Sequence, residues 1–435
     1  MLALLAALQF ASGGGAGAGV GWTADSLPTV TLTEALRRAT GLDPNYVAAL
    51  GQVDNAVWAR RSAFSVFILP SITLTTTATK YSPPFFNFAT LKPAPYSVQA
   101  AVSASYDLFT GGRKLAELSR SAATLDASHA GELQARFASA LLTESDYYAV
   151  LANRELARVA RERARRAEEQ LAVARARVSS GAAVRTDSLQ LRLELDRAQV
   201  GLLQQESALR VSRLELGRRV GATGPVDAAA TDTTRMPELA VTLADAIGEA
   251  AVQGPSYRQA AARERAAAAV FRAQLGTYLP QATLSWTRTG FDNKFAPALR
   301  TFNALTLGVS FPLWDNARRE IALTQARVNR DVARAIREDM DRAVQRDVTA
   351  AYDGYTTARA SFNIDNEAVT VARETYRVQQ SRYQAGATTI LDLLKAQSDL
   401  DDAEAGLVQA RYATRLALAG LEAILGRRLF PQSEQ

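Results

Sequence analysis

Two acids, Asp187 and Asp392, occupy the same place in two copies of one short pattern. The first copy sets Arg177, Gly181, Ala182, Asp187 and Leu189 at spacings that Arg382, Gly386, Ala387, Asp392 and Leu394 repeat. Gly181 and Gly386 lie 205 positions apart and each interrupts a helical pattern that soon resumes. A C′ glycine followed by a new helix has that signature. An acid in the first turn after such a break can hold the positive end of the helix or accept amide hydrogen bonds. The arginines before the break can cap the last carbonyls of the outgoing helix. Each copy is therefore the expected tip of a helical hairpin.

Catalytic chemistry finds no comparable pattern. His129 is the one histidine, in a polar helical run beside Ala130 and Gly131, and reads as a surface residue. Gly111 and Gly112 follow a strand and open a helix but lack the Lys-Ser/Thr pair of a phosphate loop. No nucleophile elbow, His-x-x-x-His pair or dinucleotide fingerprint occurs, so no enzyme activity, cofactor or metal is expected. The absence of cysteine excludes disulfides, thiolate metal sites and cysteine nucleophiles.

The chain has 435 residues and a formal charge of +6, with 48% hydrophobic and 22% charged residues. Its basic residues are nearly all arginines interleaved with acids, as in Arg154 and Glu155 or Arg263, Glu264 and Arg265. Mixed charge of this kind makes a solvated helix face with i,i+4 pairs, so no nucleic-acid partner is expected. No apolar run approaches the roughly 20 residues of a spanning helix. Residues 1–22, with an apolar run from Leu2 to Leu8 and then Ala and Gly, are expected to be a signal peptide.

The same elements come twice along the chain. A short amphipathic segment (from Thr31, and from Thr242) leads to a proline break and a helix of about twenty residues, ending at Leu69-Pro70 or Leu279-Pro280. The period then switches to two. Ile72 and Leu74 alternate with Ser71, Thr73 and Thr75, and Leu305, Leu307 and Val309 with Thr306, Gly308 and Ser310. The expected division is a first repeat over 23–220, with strands 71–80 and 97–108 and a helical hairpin over 113–219. A linker over 221–240 follows, then a second repeat over 241–428, with strands 282–289 and 304–311 and a hairpin over 317–427, and a tail over 429–435. Tyr81 to Pro95 and Gly290 to Asn303 are expected as loops. Both hairpins are expected to end alike, at Leu216 to Arg219 and Leu425 to Arg428. The outgoing helices would each extend on the order of 100 Å.

Strands with Ser and Thr on one face and apolar residues on the other suit a membrane β-barrel with a wet lumen. A bilayer tolerates no open sheet edge, and four strands cannot close a barrel. The chain must then assemble, and three copies would supply twelve strands. Long helices rich in Ala and charge suit a single layer with water on both sides. Two alternatives stand beside this: a soluble four-stranded sheet, and a pore-free helical-hairpin adaptor or scaffold.

The order of elements, the duplication and the tip patterns together resemble the TolC family of outer-membrane efflux ducts, over about Leu27 to Arg428. The segment from Ser381 through Tyr383, Gly386, Leu391 and Asp392 to Leu394 looks like that family's second hairpin tip. The resemblance implies a homotrimer with a 12-stranded β-barrel in the outer membrane, in contact with its lipid. The barrel would continue into a long α-helical barrel in the periplasm, built from the duplicated hairpins. It also implies a periplasmic adaptor protein docked on the tips (Arg177, Gly181, Ala182, Arg382, Gly386 and Ala387) and an inner-membrane pump behind it.

In the family the tip is also the gate. By position Asp187, Tyr383 and Asp392 match gate residues, and Thr186 falls where a threonine lines the constriction. Two positions depart: Lys395 stands where a second acidic ring would fall, and Thr388 where an arginine would lock neighbouring protomers. A ring of Asp392 in a narrow wet pore would raise the local cation concentration, and Lys395 one turn on would partly cancel it. Capping remains an equal reading of Asp187 and Asp392, and packing at the hairpin neck a second reading of Tyr383.

Overall fold

The computed structural model describes residues 27–87, 91–231, 236, 238–293 and 300–430. The expected signal peptide and the end of the tail lie outside the described residues.

Both repeats begin with a threonine-capped helix. The Thr31 hydroxyl accepts from the Glu34 amide to start α1 (Leu32–Leu42), and Thr242 accepts from Asp245 to start α5 (Leu243–Gln253). Pro44 and Pro255 then open α2 (Pro44–Ile68) and α6 (Pro255–Leu275), where a missing N–H costs nothing. The sheet follows with strands β2 (Ser71–Asn87), β3 (Lys92–Phe109), β5 (Gln281–Asp292) and β6 (Arg300–Ser310), antiparallel in the order β2-β3-β5-β6. The register sorts the two faces. Ile72, Ala104, Trp286 and Leu305 make one cross-strand row, and Ser71, Ser105, Ser285 and Thr306 make a row on the opposite face.

The first pair of strands is longer than expected, and the aromatic, proline-rich stretch from Tyr81 is largely strand. Pro83 and Pro84 fall in a register break between Lys80 and Phe85, on the edge strand β2. Pro93 and Pro95 lie on the part of β3 that precedes Val98, where its pairing with β5 begins among the described residues. The Gly290–Asn303 stretch is likewise strand at both ends, with residues 294–299 outside the described residues.

Four long helices make the two hairpins: α3 (Arg113–Ser179) with α4 (Arg185–Arg219), and α7 (Arg318–Gln384) with α8 (Ile390–Leu425). They do not end alike. α4 runs through Gly217 and stops at Gly221, whereas α8 stops at Gly426, both terminal glycines having a φ of +73°. A Cβ on Gly217 would sit 2.2 Å from the Gly224 carbonyl oxygen, because the following chain turns back across the helix. That chain is more than a linker. Its Asp227 and Ala228 form β4, parallel to β1 (Thr29–Val30), and Val226 and Ala228 are buried against Tyr147 and Leu216.

The elements lie side by side. Toward the tips the order is α4, α3, α8, α7, and toward the sheet it is α2, α3, α6, α7. Packing on α7 follows a strict period of seven: Val348, Tyr355, Phe362, Val369, Tyr376 and Tyr383 are all buried. A seam of that period keeps one face of a long helix against its neighbours through gentle supercoiling. Among the described residues, the two flanks of the layer have no partner within the chain. One consists of β2, α2 and α4, exposing Leu50, Trp58, Leu193 and Leu203. The other consists of β6 and α7, exposing Ile364, Val371 and Val378.

Candidate functional site

The hairpin tips superimpose in their hydrogen bonding. At the first, the Gly181 amide donates to Val178 O at 3.1 Å and the Ala182 amide to Arg177 O at 2.8 Å. At the second, Gly386 donates to Tyr383 O at 3.0 Å and Ala387 to Arg382 O at 2.8 Å. This paired closure is a Schellman motif, and it needs the left-handed backbone that Gly181 (φ +74°) and Gly386 (φ +76°) supply. Arg177 and Arg382 also reach the carbonyls of Ala182 and Ala387, each at 3.4 Å. The duplicated pattern is thus a duplicated tip, and its arginines reach turn carbonyls beyond the C-caps Ser180 and Ala385 rather than the last carbonyls of their own helices.

The two acids share a position but not a role. Each is the third residue of its helix. Asp392 completes a capping box with Thr389, whose hydroxyl accepts from the Asp392 amide at 3.2 Å and donates to its carboxylate at 2.7 Å. Thr388 adds a bond at 3.0 Å. The Thr389 hydroxyl first, then Thr388 and the Thr389 amide, hold the Asp392 carboxyl below its usual range. In the first tip Val184 stands where Thr389 would, and it offers no side-chain cap. Asp187 is left half-buried and free of side-chain hydrogen bonds among the described residues. Its charge acts on Tyr383: burial raises the pKa of that hydroxyl, Asp187 adds to the shift, and Arg177 opposes it.

Tyr383 is 5% exposed, and its hydroxyl has no hydrogen-bond partner among the described residues. It packs in a core formed by both hairpins, with Ala167, Leu171 and Leu195 from the first and Ile390, Leu393 and Leu400 from the second. Arg177 crosses between the hairpins to meet it. The guanidinium donates to the Tyr383 carbonyl and lies 4.9 Å from the centre of its ring, a contact worth about 1 kcal/mol. Thr186 is exposed beside Asp187. Lys395 is engaged along its own helix by Asp399, and Thr388 turns inward to Asp392. The structure therefore brings Arg177, Asp187 and Tyr383 together, while Asp392 and Arg382 stay within the second tip.

Behind the tip, two polar clusters went unread in the sequence. Gln170 donates to the Tyr376 hydroxyl at 2.7 Å, both residues being buried. Asp401, 5% exposed, meets Arg166 at 2.7 Å and Arg163 at 3.2 Å; burial pushes its carboxyl up, and the two arginines oppose the shift. The signal was available: Arg163, Gln170 and Arg177 fall at sevens on α3, in step with Tyr376 and Tyr383 on α7.

This arrangement of two tips, a sheet hairpin in each repeat and two long helical hairpins has close counterparts. The family model for the outer membrane efflux protein matches residues 52–222 and 246–427. The chain belongs to that family. It is 28% identical over 345 residues to the pyoverdine export outer membrane protein OpmQ of Pseudomonas aeruginosa, covering 76% of this chain and 70% of OpmQ. It is 29% identical over 195 residues to protein CyaE of Bordetella pertussis, covering 44% of this chain and 40% of CyaE. Among solved structures, the outer membrane protein VceC of Vibrio cholerae aligns with a TM-score of 0.77 at 19% identity, over 92% of this chain and 97% of VceC. The open-state MtrE outer membrane channel of Neisseria gonorrhoeae aligns with a TM-score of 0.79 at 16% identity, over 93% and 91%. The fold is that of TolC-like outer-membrane channels, with an α-helical barrel portion and a β portion, and the pore-free scaffold is not favoured.

Proposed function

We propose that three copies of this chain form a passive exit duct through the outer membrane, with the helical part in the periplasm. In this reading a periplasmic adaptor docks on the tips, and an inner-membrane pump supplies the energy. One observation carries it: the unpartnered flanks are complementary. With the strand order β2-β3-β5-β6 and every pair antiparallel, β6 of one copy runs antiparallel to β2 of the next. A ring built this way leaves no edge, as a bilayer requires. The same rotation sets the apolar stripe of α7 against those of α2 and α4, so a single head-to-tail contact closes both barrels. Two copies would give eight strands and three give twelve; the family resemblance supports three.

At the far end the tips converge on the axis, and Asp187, Thr186 and Asp392 would line the constriction with Tyr383 behind them. The substrate is set by the pump; OpmQ, by its name, serves pyoverdine export. Planar-bilayer recording of the detergent-purified protein tests the duct. Discrete, cation-selective steps are expected, with a smaller reversal potential in a salt gradient for Asp392→Ala. A folded, helical sample that never conducts and does not fractionate with the outer membrane would return the reading to a pore-free scaffold.

A further inference from the structure

The two repeats differ where the strands hand over to the long helices. α3 and α7 are each 67 residues long and begin at Arg113 and Arg318, the same offset as the tips, so the two joints align residue by residue. Both helices open on two adjacent cations, Arg113 and Lys114 in the first and Arg318 and Arg319 in the second, although the positive end of a helix disfavours cations. In the second joint acids answer them. Asp315 meets Arg319 at 3.2 Å, and Glu320 follows in the first turn. The matching positions of the first joint hold Thr110 and Leu115. Thr110 is buried, its hydroxyl accepting from the Lys114 amide at 3.3 Å, and Leu115 is exposed. Among the described residues neither Arg113 nor Lys114 has an ion-pair partner.

Lys114 shows on which side this charge sits. Its Nζ lies 4.1 Å from the centre of the Tyr106 ring and donates to the Asp107 carbonyl at 2.8 Å. Tyr106 belongs to the apolar face of the sheet, paired with Leu284, which pairs in turn with Leu307. The Asp107 carboxylate belongs to the other face, where it accepts from the Thr283 hydroxyl at 3.0 Å. A cleft of about 360 Å³ opens beside Lys114, between Val66 and Leu69 at the end of α2 and Tyr106 of β3. Val66, Leu69 and the nearby Leu108 are exposed. β3 lies between β2 and β5, and α3 between α2 and α6, so both cations stand on inner elements of the chain rather than on its flanks.

An apolar face that ends in an unmatched pair of positive charges fits an amphiphile with an anionic head. We propose that Arg113 and Lys114 hold the phosphate of an anionic phospholipid in the periplasmic leaflet of the outer membrane. Its acyl chains lie on the apolar strand face, and the second joint, which carries its own acids, takes no such lipid. This rests on the duct reading, which sets the apolar face in the bilayer and the helices in the periplasm.

Native mass spectrometry of the detergent-purified protein, titrated with phosphatidylglycerol or with zwitterionic phosphatidylcholine, reads the site as a ratio of two affinities. A basic residue beside an anionic headgroup contributes about fivefold, so Arg113→Gln combined with Lys114→Gln should cut the preference for phosphatidylglycerol about 25-fold. Leu115→Glu, which installs the acid of the second repeat and removes no cation, should cut it about fivefold. Arg318→Gln should leave it as in wild type. No preference in wild type, a preference that survives the double variant, or an equal fall in Arg318→Gln overturns the site. Displacement of the lipid by millimolar inorganic phosphate overturns it too, since the cations would then serve small anions. If the double variant does not fold, Leu115→Glu decides: an undiminished preference overturns the site, and the fivefold fall upholds it. A protein that shows the expected ratios but never conducts and does not fractionate with the outer membrane upholds the lipid site and removes the duct.

Discussion

Val371 lies on the outer flank of α7, 67% exposed between Ile364 and Val378 at heptad spacing. On an isolated chain, Val371→Asp should shift stability by no more than about 0.5 kcal/mol, as surface substitutions do. In a closed ring the same site is an interface. Burying the exposed two thirds of a valine side chain is worth about 1 kcal/mol, and a carboxylate left without a partner there costs about 1–3 kcal/mol more. The loss is then about 2–4 kcal/mol per contact. A ring of three has three such contacts, which together weaken assembly by at least about 6 kcal/mol, or roughly 10⁴-fold. Detergent-purified protein would be analysed by size-exclusion chromatography with light scattering, and far-ultraviolet circular dichroism would report helix content. The expected outcome is loss of the trimer with the helical signal retained. A trimer of undiminished yield in Val371→Asp would refute the assignment of this flank to the contact. Loss of helix together with the trimer would show that the flank is part of the monomer's own core.

Other consequences follow from buried and capped charges. Glu144 and Glu422 are 5% and 4% exposed and share the Arg428 guanidinium, at 2.6 and 2.7 Å. Arg428→Ala should cost about 3–5 kcal/mol in thermal unfolding, since it strands buried carboxylates. Burial already raises the Glu144 carboxyl above its usual 4.5, with Arg428 opposing. A raised acid favours the folded state below its folded pKa and loses that as pH rises through it, so the deficit of Arg428→Ala should shrink on acidification. Asp392 has the opposite sign. Its pKa is depressed below the usual 3.8, so the cap persists above that value and fades only as pH falls through the lowered pKa. Tip exchange should therefore be flat in pH, once corrected for the intrinsic rate, down to about 4. Thr389→Ala should speed exchange at the Asp392 and Leu393 amides.

Much of the fold was legible because its signals are local. A glycine at each tip, a threonine before each short helix and a proline at each joint specify their own surroundings, and the duplication repeats them. The strand ends were misread for a non-local reason. Pro83, Pro84, Pro93 and Pro95 mark a loop on local rules. They sit in strands because β2 is an edge and, among the described residues, β3 is paired only with β2 there, which is a property of the whole sheet. The equal endings inferred from the two Leu-Gly-Arg-Arg runs failed similarly. Gly217 answers to the crossing chain at Gly224, and Gly426 to its own backbone. The inter-hairpin clusters were missed although the spacing of Arg163, Gln170 and Arg177 was in plain view. Polar residues on a polar helix carry meaning only once the facing helix is known.

The two tips differ in how each holds its acid. The turns that close the outgoing helices share the same hydrogen bonds, so the requirement common to both tips is a tight turn. What distinguishes them is whether each acid is held by its own tip. Asp392 has a threonine at its cap and is committed to its helix; Asp187 has Val184 there and makes no side-chain hydrogen bond among the described residues. A cap satisfied locally makes the second tip rigid in itself, able to move as a unit. One substitution tests this division: Val184→Thr gives Asp187 a capping partner of its own. If the free carboxylate matters, the variant should steady the first turn of α4, slow amide exchange at Asp187 and change the single-channel conductance. If exchange slows there while conductance stays as in wild type, Asp187 is a helix-end charge and the gating role passes to other residues.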